Sequence, residues 1–256
     1  GDLSDVGSNE GLYESCAAAM NKMNGIVPWS FVPGNHDYDK NWTVNRETVY
    51  FRKHFPYEVH SKLPGFGGVY EEGTMENSYY LYNIQGIKYC VINLEYSPRI
   101  EVLRWADRLC EQFYDHRIIL ETHAYIQTIG GCYTSDGAAA SATETQSNPQ
   151  AVWEYVLRRH KNVFMAFSGH YGFDDIVYTL QTGDHGNKVH SALMDAQVSR
   201  YNGGGIGEDI IGIIRINETK KTATYQWYSP YHDAIFNIQN QFDVSFADPY
   251  NPTVGA

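Results

Sequence analysis

Apolar residues recur at helical spacing from Leu12 through Cys16, Ala19, Met20 and Met23. Ser8 or Asn9 can cap that run and Gly25 can stop it, so the pattern predicts a helix reaching about Met23. A β-prone run, Ile26 to Val32, follows and ends at Pro33-Gly34, which reads as a short strand delivering Asn35-His36-Asp37 to a loop. Thr43 to His54 reads as a helix stopped by Pro56, and residues 61–77 as Gly-rich and irregular. Tyr79–Ile84 and Ile87–Leu94 flank Gln85-Gly86 and predict an antiparallel hairpin. Helical spacing returns from Glu101 to Phe113, and Arg117–Glu121 is a strand ending at Thr122-His123. Thr134 to Asn148 is built from small and polar residues and reads as a surface loop able to cover a site. Pro149 opens a helix to His160, Val163–Ser168 is a strand ending at Gly169-His170, and further strands are expected at 176–182, 189–197, 210–217 and 222–229. Helices and strands interleave without a composition break, so residues 1–247 read as one α/β domain and 248–256 as a tail or linker.

Composition narrows the partners. The chain has 256 residues, 43% of them hydrophobic, enough for one large core. Lys and Arg number 19 against 30 Asp and Glu, giving a formal charge of −11, and no basic block could track a nucleic-acid backbone. Nucleic acid is therefore not expected as a stable partner. An acidic body repels phosphate at long range, so an anionic substrate needs locally bound cations. No apolar run is long enough for a membrane span. Cys16, Cys90, Cys110 and Cys132 lack metal-ligand spacing and read as buried thiols. Many Tyr and Asn residues, few lysines and the sequons at Asn41 and Asn217 lean towards a secreted or cell-surface protein.

The chemistry gathers at strand ends. Asn35 with His36, then His123, then His170, each follow a predicted strand and so share one edge of a sheet. Gly1-Asp2 has the same placement before the first helix if a strand precedes it. Carboxylate, amide and imidazole donors suit hard or borderline divalent ions such as Mn, Fe or Zn. Two such ions can clamp the attacking and leaving oxygens of a phosphoester hydrolysis.

Gly1-Asp2-Leu3-Ser4-Asp5, Gly34-Asn35-His36-Asp37, Thr122-His123 and Ser168-Gly169-His170 resemble, in order, the motifs of the calcineurin-like metallophosphoesterase superfamily. The resemblance implies a four-layer αββα sandwich of two mixed β-sheets flanked by helices, here missing its first strand. It implies metal-dependent hydrolysis of a phosphomonoester or phosphodiester at a dinuclear centre holding two divalent metal ions. Asp2 is then the bridging carboxylate, Asn35, His123 and His170 complete one metal site, and His36 is the acid beside the leaving group, oriented by Asp37. Asp5 ties down its own turn. The sequence begins at Gly1, so the family's opening Asp-x-His strand is expected upstream of it, and the chain departs from the family in carrying Gly172 where a second His is common. His185, in Thr182-Gly183-Asp184-His185, is a candidate replacement ligand, with Asp174, Asp175 and Asp184 nearby, and Arg99 is a candidate phosphate-gripping residue. Two other readings stay open: a metal- or phosphate-binding module with impaired catalysis, and an interaction domain of an exported protein using the aromatic-rich stretches 61–82 and 225–236.

Overall fold

The structure is a computed structural model and describes residues 1–40, 46–127, 131–132, 140–172, 175–197, 210–236 and 241–246. The sequon at Asn41, Asp174, the first part of the loop at 134–148 and the tail at 248–256 lie outside the described residues. The elements begin with α1 (Glu10–Met20), α2 (Val49–His54), α3 (Tyr57–His60), β1 (Phe66–Val69), β2 (Ser78–Ile84) and β3 (Ile87–Leu94). Next come α4 (Ile100–Gln112), β4 (Arg117–Thr122), β5 (Ile126–Gln127), β6 (Gly131–Cys132), α5 (Pro149–Tyr155) and β7 (Val163–Ser168). The chain continues with β8 (Val177–Thr182), β9 (Lys188–Leu193), β10 (Ile211–Asn217), β11 (Thr222–Ser229), β12 (Ala234–Phe236) and β13 (Phe242–Ser245).

The larger sheet has the order β1-β2-β3-β4-β7-β9-β8. It grows from the β2–β3 hairpin, whose two-residue turn uses Gln85 and Gly86 at φ 54° and 84°, the left-handed conformations a tight hairpin demands. Parallel pairing then runs β3, β4, β7, β9, so these strands finish on one edge, and β8 closes the sheet antiparallel to β9. Cys90, Ile92, Leu94, Ile118 and Leu120 present one face to α4 and α5, where they bury Val102, Leu103, Ala106, Val152 and Val156. Burial pushes the Cys90 thiol up to about 12, in keeping with a packing role.

A second face packs against the smaller sheet, in which β10, β12 and β13 all pair antiparallel with or beside β11. Phe164, Met165 and Ala192 meet Tyr225 and Trp227 there. The architecture is thus mixed α/β, two sheets flanked by helices, and the described strands of the second sheet pair antiparallel. Tyr80, Tyr225 and Trp227 are buried, so these aromatic residues of the stretches weighed as interaction surfaces serve the core.

Three local expectations change. The first helix starts as predicted, with Asn9 Oδ1 accepting from Gly11 N–H at 3.1 Å, and ends in a single 3₁₀ turn, Asn21–Met23. Residues 26–32 form no strand: Ile26 and Val27 still belong to the turn after the helix, bonded back to the Met23 carbonyl oxygen, and Trp29, Phe31 and Val32 are buried while Ile26 is 78% exposed. Their aromatic rings pack with Phe51, Phe55 and His60, so side-chain burial rather than strand pairing holds the segment. β1 forms inside the stretch expected to be irregular, where Gly67 and Gly68 let the Tyr79 ring lie against the backbone.

Candidate metal centre

Two turns are locked together before any ligand is considered. The fully buried Asp37 accepts hydrogen bonds from Leu3 N–H (3.0 Å), Ser4 N–H (3.0 Å), Gly34 N–H (2.8 Å) and the Tyr13 hydroxyl (2.8 Å). One carboxylate therefore ties the Asp2 turn, the Asn35 turn and α1 into a single unit. Burial pushes its carboxyl up, opposed by those same donors. Gly34 is required by proximity, because a Cβ there would sit 2.1 Å from Asp2 Oδ1.

This scaffold brings Asp2 and Asn35 to the strand ends that carry His123, after β4, and His170, after β7. His123 Nε2 lies 3.1 Å from Asp2 Oδ2, 3.1 Å from Asn35 Oδ1 and 3.1 Å from His170 Nδ1. One imidazole nitrogen carries either one proton or one lone pair, so it cannot satisfy three such neighbours by hydrogen bonding. Three donors each about 3 Å from a fourth do match edges of a coordination shell with metal–ligand bonds of about 2.1 Å. Asp2, His123 and His170 form a group whose ligand atoms all lie within 4.8 Å of one another. The donor set therefore fits a divalent cation. Asp2 and His170 also hold φ at 55° and 73°, a strained conformation for residues with a Cβ, stored at the site. Burial pushes the His170 imidazole down, and the neighbouring His123 acts in the same direction. Burial alone would raise the Asp2 carboxyl, but the His123 contact and the His36 N–H hold it below the usual range.

His36 stands beside this group with its side chain about half exposed (47%), and its backbone N–H donates to Asp2 Oδ1 at 3.0 Å. Its Nδ1 lies 2.6 Å from the Asp5 carbonyl oxygen and 3.7 Å from the Asp5 carboxylate. That contact, reinforced by the carboxylates of Asp2, Asp5 and Asp37, pushes the imidazole up against the opposing effect of burial. The described contact to the His36 ring comes from the Asp5 carbonyl, while the Asp37 carboxylate, expected to orient that ring, accepts from backbone donors and Tyr13.

Two sequence candidates are placed away from the centre. His185 sits in the β8–β9 turn, with Nε2 3.0 Å from the Arg159 carbonyl oxygen. It precedes β9, at the opposite end of the strands from His170, because the antiparallel hairpin returns the chain to the far edge. Arg99 is gripped by the buried Glu95 through Nε (2.9 Å) and Nη2 (3.1 Å) and lies over the Tyr70 ring, so its guanidinium is committed to structure. Asp175 precedes β8 and enters no described metal group. Asp184 pairs with Arg158.

Sequence reasoning missed Glu121 and Asp195. Both line a cavity of about 510 Å³ with Asp2, His123 and His170. Glu121 is the carboxylate inside the apolar strand β4, pushed up by burial, and Asp195 follows β9 on the same strand-end edge. A charged residue in a strand directly before a candidate ligand was the available signal for the first. For Asp195 the signal was its position just past a strand, obscured because that strand was expected to run to 197.

The family model for calcineurin-like phosphoesterase matches residues 1–172. Among solved structures, a dimetal phosphatase from Danio rerio is similar over 60% of this chain and 40% of that chain, at 12% identity and a TM-score of 0.36. The chain thus spans less than half the length of that structure. No curated protein matches.

Proposed function

The chain belongs to the calcineurin-like phosphoesterase family, and from that footing we propose that it hydrolyses phosphomonoesters or phosphodiesters at a dinuclear centre whose first ion is held by Asp2, Asn35, His123 and His170. The observation that carries the reading is the convergence of Asp2, Asn35 and His170, from separate turns, on His123 Nε2 at 3.1 Å each. Such ions supply a Lewis acid that polarises phosphoryl oxygens and acidifies water. Asp2 offers a second oxygen for bridging, and Glu121 and Asp195 face the same cavity with further carboxylate oxygens.

His36 supplies the proton for the departing alcohol. Its Nδ1 is taken by the Asp5 carbonyl, which leaves Nε2 as the nitrogen that delivers it. The Asp37 anchor keeps the backbone that carries His36 in fixed relation to Asp2, so the acid and the ligands move as one body. No Lys or Arg lines the 510 Å³ cavity among the described residues, and its two histidines are the candidate ligands. The attraction for an anion accordingly rests with bound cations.

The test is hydrolysis of an alkyl phosphoester by the metal-loaded protein and by His36→Ala. Turnover should fall by about 10²–10⁴-fold in the variant while metal content stays the same. Unchanged turnover would remove His36 from the reaction. A second reading, a metal- or phosphate-binding module without turnover, draws on Gly172, which offers no imidazole to a second ion. Metal binding in full with no hydrolysis of any generic aryl phosphate would favour it.

A further inference from the structure

Beside the metal centre lies a second cavity, of about 290 Å³. Its walls are Tyr96, Tyr171, Ala124, Pro98, Pro149 and Val152, with Ser and Asn side chains and Gln146 around them. Two of these walls are chain neighbours of candidate ligands: Ala124 follows His123 and Tyr171 follows His170. The Tyr96 ring centre lies 5.6 Å from that of His123 and 5.4 Å from that of His170, and the Tyr171 ring 4.6 Å from His170. The cavity and the metal centre therefore share aromatic partitions.

The wall opposite is held in place without any ligand. Ser97 Oγ donates to the Ser147 carbonyl oxygen at 2.6 Å and accepts from Ser147 N–H at 3.1 Å. Ile100 N–H donates to the Thr143 carbonyl oxygen at 2.8 Å, and Arg46 Nη1 to that of Thr145 at 2.9 Å. A pocket preformed in this way spares its occupant the cost of ordering a loop.

No Asp, Glu, Lys, Arg or His lines this cavity among the described residues, which makes it a poor seat for a second phosphate or any charged group. Apolar and aromatic walls favour a flat ring instead. A cavity of roughly 150 Å³ accepts benzene, so one of 290 Å³ has room for a fused two-ring system or one substituted ring. Resting on the phosphoesterase reading above, we propose that this cavity receives the organic group of the ester and selects substrates in which that group carries a planar aromatic ring.

The test is equilibrium binding by calorimetry to the manganese-loaded protein, with non-hydrolysable probes so that leaving-group reactivity plays no part. 1-Naphthylmethylphosphonate should bind about tenfold or more tightly than methylphosphonate. A second pair, the 5′-methylenephosphonates of adenosine and of ribose, separates a nucleobase from a simple aryl group as the ring. A gain in either pair supports the proposal, and no gain in both overturns it. The gain should collapse to about twofold or less in Ser141→Trp, which fills the exposed rim, and in Val152→Phe, which fills the floor. A gain that survives both substitutions places the ring elsewhere and also overturns the proposal. Manganese-dependent binding of methylphosphonate without a ring effect would sink this inference alone. No binding of any probe, with or without manganese, would sink the phosphoesterase reading with it.

Discussion

Replacing Asp37 separates an anchoring role from a chemical one. Its two oxygens accept three backbone N–H bonds and the Tyr13 hydroxyl in a fully buried position. Asp37→Ala leaves the three N–H groups without an acceptor, at roughly 1–3 kcal/mol for each one that water cannot reach, while the Tyr13 hydroxyl keeps the Asp37 carbonyl oxygen at 3.1 Å. Relief from burying a carboxylate offsets part of that, and the Leu3 N–H is only part-buried. The net cost should be about 3–5 kcal/mol, a large share of the roughly 5–15 kcal/mol that stabilises a typical domain. At 2–4 °C per kcal/mol for a chain near this size, the melting temperature should drop by about 10 °C. Asp37→Asn should be nearly as harmful, because its amide NH₂ would face N–H donors. Tyr13→Phe, which loses a single donor, should cost only about 1–2 kcal/mol. Thermal melting with and without manganese reads all three variants. If Asp37→Asn melts within about a degree of the parent yet loses hydrolysis, the anchor is refuted and Asp37 acts on His36 after all.

Two further outcomes follow from buried charge. Glu95→Gln removes the carboxylate that accepts from Asn77 and Arg99 and lies 3.3 Å from Arg46 Nη2, leaving two guanidinium groups without their counter-charge. Chemical denaturation should show a loss of about 3–5 kcal/mol, and a loss under about 1 kcal/mol would contradict the reading. His60 is buried among Trp29, Phe31 and Phe55, with Nδ1 near the Pro56 carbonyl oxygen and Nε2 without a partner, and burial pushes its imidazole down. The unfolded chain then binds the proton more readily, so this contribution is whole above the unfolded value of about 6.5 and is lost as pH falls below it. Denaturation midpoints should decline from pH 7 to pH 5, and His60→Leu should flatten that decline; equal slopes would count against it.

The strand-end logic was legible because it depends only on where apolar runs stop. His123 and His170 follow β4 and β7 as their sequence context required, and parallel pairing then put them on one edge. The Gln85-Gly86 hairpin was equally plain from its turn residues. What sequence could not supply was partnership across the chain. Residues 26–32 have strand-like side chains, but a strand also needs a neighbour, and periodicity does not report one. Asp5 and Asp37 are both acidic residues beside a turn, and only three-dimensional packing shows that Asp37 faces inward to backbone donors while the Asp5 carbonyl meets His36. His185 and Asp195 make the same point from opposite ends of β9. Strand direction, set by pairing with β7, decides which of them shares an edge with His170.

Metal content measured by plasma mass spectrometry after dialysis against manganese tests the donor set most directly. The parent should retain stoichiometric metal, and His170→Ala and Asp2→Ala should each lose it while keeping their fold by circular dichroism. Retention of the same metal by both variants, or none by the parent, would contradict the assignment of Asp2, Asn35, His123 and His170 as its ligands.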